Sequence, residues 1–168
     1  MIAYAIGRVG CHLSGDGDWG IVNNYIKPQW LSFLPDYLWA YDFPNNVVQE
    51  GIKMSNCSGP YCYKLPEKVF PTSFYETIFC LILFLFLWFL RKKIKLPGVL
   101  FAIYLIFNSI ERLLIEQIRV DIDYQIFNIE IKQSEIIAII IFFVGCITIF
   151  KVVFDIKIQF SLIKKLTR

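Results

Sequence analysis

Apolar residues fall in three long blocks, and polar stretches precede and separate them. The blocks are 74–90, "FYETIFCLILFLFLWFL", 97–119, which begins "PGVLFAIYLIF", and 136–154, "IIAIIIFFVGCITIFKVVF". Each is long enough for a helix across hydrocarbon, where irregular or open-edged backbone leaves polar groups unsatisfied. The first is short in its purely apolar part, but Tyr75 and Trp88 stand where aromatic anchors meet an interface. The pattern predicts an all-α integral membrane protein with three transmembrane helices. Ahead of them, residues 1–6 read as the last turns of a truncated N-terminal helix, and 7–73 as a long outer-face loop region. Residues 1–168 form a single membrane domain, closed by a basic tail at 155–168.

Composition agrees with this reading. Of the 168 residues, 57% are hydrophobic and 18% charged, with a mean hydropathy of +0.55. A soluble domain carries about a quarter charged residues, so buried core helices in a soluble protein are the weaker reading. "RKKIK" (91–95) lies between the first two blocks and "KIQFSLIKKLTR" (157–168) follows the third, whereas the turn from Arg119 to Glu135 is net acidic. The positive-inside rule places the basic turn and the C-terminus in the cytoplasm, with 7–69 and the turn around 121–124 outside. These clusters account for the net charge of +3, which gives no reason to expect nucleic acid. "MIAYAIG" has no basic n-region and is too short for a signal peptide or a span. The chain is therefore expected to continue an upstream half.

The second block carries charge. On a continuous helix, Asn108, Arg112, Glu116 and Arg119 of "NSIERLLIEQIR" share an arc of roughly 80°. Each charge at mid-membrane costs roughly 2.5–3.5 kcal/mol. Arg112 and Glu116 are i, i+4 partners, and Arg119 reaches Glu116 from i+3, which lowers that cost. Either an ion pair locks this helix to a neighbour, or a polar cavity needs fixed positive charge. Arginine suits the second case, because its planar fork binds phosphate bidentately and stays charged. Arg112 lies about 10 Å deeper than Arg119 by helix rise, the depth of an outer-leaflet lipid phosphate. Two more polar clusters reach the same side. "FPTSFYE" (70–76) places Tyr75 and Glu76 at the outer end of the first span. "GRVGCHLSGDGDWG" (7–20) reads as a glycine-rich loop that folds tightly, offering Arg8 with Asp16 and Asp18.

Taken in order, these stretches resemble the phosphatidylglycerol–prolipoprotein diacylglyceryl transferase family. The family signature G-R-x-G-N-F-x-N-G-E-x-x-G is similar to "GRVGCHLSGDGDWG", and H-P-[ST]-Q-x-Y-E is similar to "FPTSFYE". Its R-x-x-x-E-x-x-R motif is matched by Arg112, Glu116 and Arg119, and "QSEIIAI" resembles the lead into its last helix. Cys11, His12, Ser14 and Asp16 depart from the signature, one extra residue precedes Gly20, and Phe70 stands where histidine is common. The family's upstream helices, with an H-G-G region, have no counterpart in the sequence.

The resemblance implies transfer of diacylglyceryl from phosphatidylglycerol to the lipobox cysteine of a prolipoprotein, at the outer face of the bacterial cytoplasmic membrane. It implies catalytic roles for Arg8, Asp16, Arg112 and Glu116, with Asp16 orienting Arg8 or the head group. Arg8, Cys11, Gly20, Tyr75, Glu76, Arg112 and Arg119 would bind substrate. No cofactor and no metal is implied. Without its upstream half, the chain is expected not to catalyse the transfer by itself. The alternatives are a phospholipid-binding helix bundle without chemistry, and a non-catalytic fragment.

The remaining groups are read on their own. Cys57 and Cys62, in "NCSGPYCY", flank a Gly-Pro turn outside, where a local disulfide or two free thiols are the alternatives. Cys80 and Cys146 sit among apolar residues and read as packing. His12, the single histidine, is either a hydrogen-bonded loop residue or a base for the thiol. "YIKPQWLSFLPDYLWAYDFP" (25–44), rich in Trp, Tyr and Pro, is expected along the outer membrane interface.

Overall fold

The computed structural model describes residues 1–120, 124–126 and 129–166. Residues 121–123 and 127–128 of the acidic turn, and 167–168 of the basic tail, lie outside the described residues. The chain divides into two compact units, Met1–Ile82 with Leu114–Ile122, and Leu83–Leu113 with Asp123–Arg168.

In the first unit, α1 (Ile2–Ser14) does not stop where the sequence predicts a loop from Gly7. Gly7 and Gly10 sit inside it, with open space where a side chain would stand. Each weakens the helix by about 1 kcal/mol relative to alanine, and burial of Ala5 and Arg8 on one face outweighs that. The helix ends at Gly15, whose left-handed φ of 60° lets its N–H bond the Cys11 carbonyl at 3.0 Å.

The chain then wraps a small core of Trp19, Phe43, Leu65 and Val69, with Tyr41 against it. Each such buried side chain contributes about 1.5–3 kcal/mol. Asn46, almost fully buried, is the polar centre of this wrap. Its Nδ2 donates to the carbonyls of Phe43, Glu50 and Tyr63 at 3.2, 3.0 and 3.1 Å, and its Oδ1 accepts from the Glu50 N–H at 2.9 Å. Short strands β1 (Ile52–Lys53) and β2 (Tyr63–Lys64) pair antiparallel, with Ile52 opposite Lys64. Between them Cys57 and Cys62 are joined by a disulfide. Two 3₁₀ turns, Gln29–Leu31 and Asp36–Leu38, shape the aromatic stretch. Pro71 precedes α2 (Thr72–Leu90), which starts in this unit.

The second unit holds the rest of α2, most of α3 (Val99–Glu116), the hairpin β3 (Tyr124–Ile126) and β4 (Ile129–Ile131), and α4 (Gln133–Leu166). Here α4 packs on α3 at Gly145, where an added Cβ would stand 2.8 Å from Ile106 Cγ1 and 3.1 Å from the Ala102 carbonyl. Small residues allow such close approach between apolar helices.

The fold is mostly helical, with two small hairpins the all-helical expectation did not include. Among the described residues, two helical stretches, Thr72–Leu90 and Gln133–Asp155, are long and apolar enough to cross a membrane. Both leave most of their surface uncovered, Ile140, Phe143, Ile147 and Phe150 of α4 among it. That is unlike the core helix of a soluble protein. The third expected span, α3, carries Glu111, Arg112 and Glu116 in its last turns and does not reach the same apolarity. It also ends at Glu116 rather than continuing to Arg119. Residues 118–120 are drawn instead into backbone pairing with the segment after Trp19.

Candidate functional site

Four charged side chains of the first unit converge, and each comes from a different local structure. Arg8 projects from α1, Asp18 from the turn that follows Gly17, Glu76 from the second turn of α2, and Arg119 from the segment after α3. Tyr4 stands one helical turn before Arg8 and accepts from its Nε at 3.0 Å, while its own hydroxyl donates to Glu76 Oε2 at 2.9 Å.

Arg119 arrives through Gly20. The two residues are opposite each other in an antiparallel bridge, with the Ile21 N–H on the Ile118 carbonyl at 2.8 Å. A Cβ on Gly20 would lie 2.6 Å from that carbonyl oxygen and 2.9 Å from Phe70 Cβ. Only glycine permits the approach. Asp18 is fixed from the other side, because Thr72 donates its hydroxyl to the Asp18 carbonyl at 2.9 Å and Asp16 Oδ1 accepts the Asp18 N–H at 3.3 Å.

The result is a carboxylate shared by two arginines. Arg8 Nη1 donates to Asp18 Oδ2, and Arg119 Nη2 donates to Asp18 Oδ1. Glu76 lies beneath, 2.5 Å from Arg8 Nε and 4.0 Å from Arg119 Nη1. Two positive and two negative groups balance, as charges withdrawn from water must. Glu76 is the most buried of the four side chains, at 3%, and Asp18 the most open, at 19%. The cluster has a closed side and an accessible one.

A model of the prolipoprotein diacylglyceryl transferase family matches residues 1–151. The chain belongs to this family. It is similar to the phosphatidylglycerol–prolipoprotein diacylglyceryl transferase of Dehalococcoides mccartyi, with 28% identity over 143 residues, 84% of this chain and 43% of that protein. It is also similar to the enzyme of that name from Clostridium novyi, with 26% identity over 151 residues, 90% of this chain and 48% of that protein. The chain thus spans about half the length of the curated relatives it matches. No solved structure matches it.

Of the residues the family resemblance singled out, the structure brings Arg8, Glu76 and Arg119 together. Gly20 acts through its backbone. Asp16, expected to orient Arg8 or the head group, is exposed, and it is Asp18 that meets Arg8. Tyr75 faces the aromatic stretch, its hydroxyl donating to the Trp39 carbonyl at 3.3 Å. Glu116 is buried at the end of α3, and Arg112, half-buried on α3, belongs to the second unit.

Cys11 lies one turn beyond Arg8, its Sγ 4.0 Å from Arg8 Nη1. Burial, and then Asp16, push its thiol up to about 11, so it stays protonated at neutral pH. Ligand atoms of Cys11, Asp16 and Asp18 lie within 4.8 Å of one another. Both arginines are already on Asp18, and their charge disfavours a cation there. His12 is packed rather than solvated, its ring 5.6, 5.5 and 5.7 Å from those of Tyr41, Phe43 and Phe74. Burial holds its imidazole below the ordinary value, and its Nδ1 has no hydrogen-bond partner among the described residues.

Sequence reasoning missed Tyr4, Thr72 and Asn46, and offered Asp18 beside Asp16 without giving it a role of its own. Tyr4 had a signal, its i, i+4 spacing to Arg8, which counts only once 1–14 is read as one helix.

Proposed function

We propose that this chain supplies the phosphate-binding cluster for transfer of diacylglyceryl from phosphatidylglycerol to the lipobox cysteine of a prolipoprotein. In this reading the lipid phosphate replaces the Asp18 carboxylate between Arg8 and Arg119. One observation carries it: each oxygen of Asp18 takes one arginine. A phosphodiester offers two non-bridging oxygens in a similar fork, and guanidinium binds either group. Asp18, the most open member, swings out as the lipid enters, and the cluster keeps its charge balance. Glu76 and Tyr4 stay, holding the Arg8 Nε in place.

The chemistry then follows from the leaving group. The lipobox thiol passes its proton through water to the departing phosphate, and its sulfur attacks the glycerol carbon that carries the phosphate ester. The S–C bond forms, the C–O bond breaks, and glycerol phosphate departs with the electron pair. Negative charge grows on that phosphate, where Arg8 and Arg119 already donate. One preorganised donor of this kind is worth about 2.7–4 kcal/mol. His12, packed among the rings of Tyr41, Phe43 and Phe74, and the protonated Cys11 are not part of this step. Arg112 and Glu116 keep the roles that the family resemblance assigns, and Asp16 keeps only the second of its two, orienting the head group.

The topology we propose has α2, α3 and α4 as three spans of the bacterial cytoplasmic membrane, with the arginine cluster outward and the C-terminus inside. An α3 of this length rises about 27 Å, close to the hydrocarbon thickness. At the other end of α2, Arg91 lies over the Trp88 ring, 3.6 Å from its centroid, an arrangement suited to an interface.

Retention of phosphatidylglycerol tests the reading. Native mass spectrometry of the chain, released from membranes containing equal phosphatidylglycerol and phosphatidylcholine, should show the anionic lipid retained. Arg8→Ala and Arg119→Ala should each lower that retention about tenfold, a loss of about 1.4 kcal/mol. Equal retention by both variants would overturn the assignment.

A further inference from the structure

The stretch between Asn23 and Tyr41 leaves the core and returns to it through a narrow neck. Asn23 donates through Nδ2 to the Trp39 carbonyl at 2.7 Å, and Trp39 Nε1 donates to the Tyr25 carbonyl at 3.2 Å. Tyr41 and Val69 exchange backbone hydrogen bonds at 3.0 and 2.9 Å. Phe70, two residues before α2, lies against both Tyr25 and Trp39, and Tyr75 bonds Trp39 from the first turn of that helix. The excursion is thereby pinned where α2 begins.

Its tip is apolar and uncovered. Ile26 is 94% exposed, Phe33 78% and Trp30 74%. Lys27 turns inward at the base, donating to the Leu34 carbonyl and, at 3.0 Å, to Asp36 Oδ1. Lys27 and Asp36 balance the excursion's charge, with the Lys27 side chain 17% exposed and that of Asp36 86%. The backbone is prepared in the same sense. The N–H groups of Leu31, Ser32, Leu34, Leu38 and Trp39 bond to carbonyls within the excursion, and Pro28 and Pro35 have none to satisfy. Such bonds lower the cost of taking this backbone into an interface.

We infer that the excursion 24–38 inserts Ile26, Trp30 and Phe33 into the outer interface of a phospholipid bilayer. It makes a monotopic anchor beside the first span and fixes the height of the arginine cluster over the lipid. The occupant is lipid rather than a protein partner for two reasons. The tip is pinned at the start of a membrane-crossing helix, and its uncharged Trp–Phe–Ile surface is the composition an interface accepts. The inference rests on the reading that α2 crosses the membrane.

Bromine-labelled phosphatidylcholine, used as a quencher of tryptophan in proteoliposomes of the full chain, tests both readings separately. The shares of Trp30 and Trp88 are obtained by difference from Trp30→Phe and Trp88→Phe. Trp88, near the end of α2, reports the span. The expected result is that both shares drop about twofold in brominated lipid, with the indole of Trp30 at headgroup level. Aqueous iodide should leave Trp30 emission largely unchanged. If bromine reaches Trp88 while iodide reaches Trp30 fully, the excursion proposal falls and the span stands. If bromine reaches neither, both fall. Shielding of Trp30 only after a lipobox peptide is added would make the tip a protein-docking surface and also overturn the proposal.

Discussion

Gly20 lies opposite Arg119 in an antiparallel backbone bridge, and that pairing delivers the Arg119 guanidinium to Asp18. The glycine of the turn and the arginine beyond the third helix therefore work as one device. Gly20→Ala places a Cβ 2.6 Å from the Ile118 carbonyl and 2.9 Å from Phe70 Cβ. Overpacking of this kind costs about 1–3 kcal/mol. The expected outcome is a lower thermal midpoint together with weaker phosphatidylglycerol retention. Unchanged retention in Gly20→Ala would separate Arg119 from the lipid.

Glu76 and Asp18 differ in burial, and their amide variants should differ in consequence. Removing one partner of a buried pair leaves the other charge uncompensated, at a cost of roughly 3 kcal/mol. Glu76→Gln should approach that figure, because its side chain is only 3% exposed. Asp18→Asn should cost clearly less, because water reaches that edge. Chemical denaturation of the two variants side by side decides the order, and a reversed order would contradict the closed-side, open-side description of the cluster.

His12 gives the first unit a pH dependence whose sign is fixed by burial. Its ordinary value is about 6.5, and the folded value is lower. As pH falls below about 6.5, the unfolded chain takes up the proton first, so stability falls with pH until the folded value is reached. The thermal midpoint should decline between neutral and mildly acidic pH, and His12→Phe should flatten that decline. An identical decline in His12→Phe would place its cause elsewhere.

The Cys57–Cys62 bridge closes a short loop beside the β1–β2 pair. By loop-closure entropy a bridge of this size contributes about 2 kcal/mol. Mass spectrometry after thiol blocking should find the two joined. Reduction should increase amide exchange around Tyr63 and Asn46 more than around Arg8. Full alkylation of both cysteines in the isolated protein would contradict the bridge.

Much of this was legible in the sequence, and the misses share a cause. The apolar blocks located α2, α3 and α4 to within a few residues at most ends, because hydrophobic length is a local property. The C-terminal end of α3 was not legible. Nothing local stops a helix after Glu116, and the segment leaves helical geometry because Gly20 offers it a backbone partner from far along the chain. Gly7 and Gly10 misled in the opposite direction, since their glycines read as a loop while burial of Ala5 and Arg8 keeps α1 helical. Arg8, Glu76 and Arg119 were found as residue types in family motifs. Asp18 was not separable from Asp16, since which carboxylate meets Arg8 depends on Thr72 and Gly20 rather than on spacing.

The central claim is that Asp18 occupies the place of a phosphate, and glycerol phosphate binding to Asp18→Asn tests it most directly. With the competing charge gone and the side chain's shape kept, the arginine pair is free for an external anion. Isothermal titration of the full chain in detergent with glycerol phosphate should show Asp18→Asn binding about tenfold tighter than the parent, a gain of about 1.4 kcal/mol. Adding Arg8→Ala to Asp18→Asn should abolish that gain. Binding weakened by Asp18→Asn, with a folded cluster, would mean the carboxylate itself holds the ligand and would contradict the account.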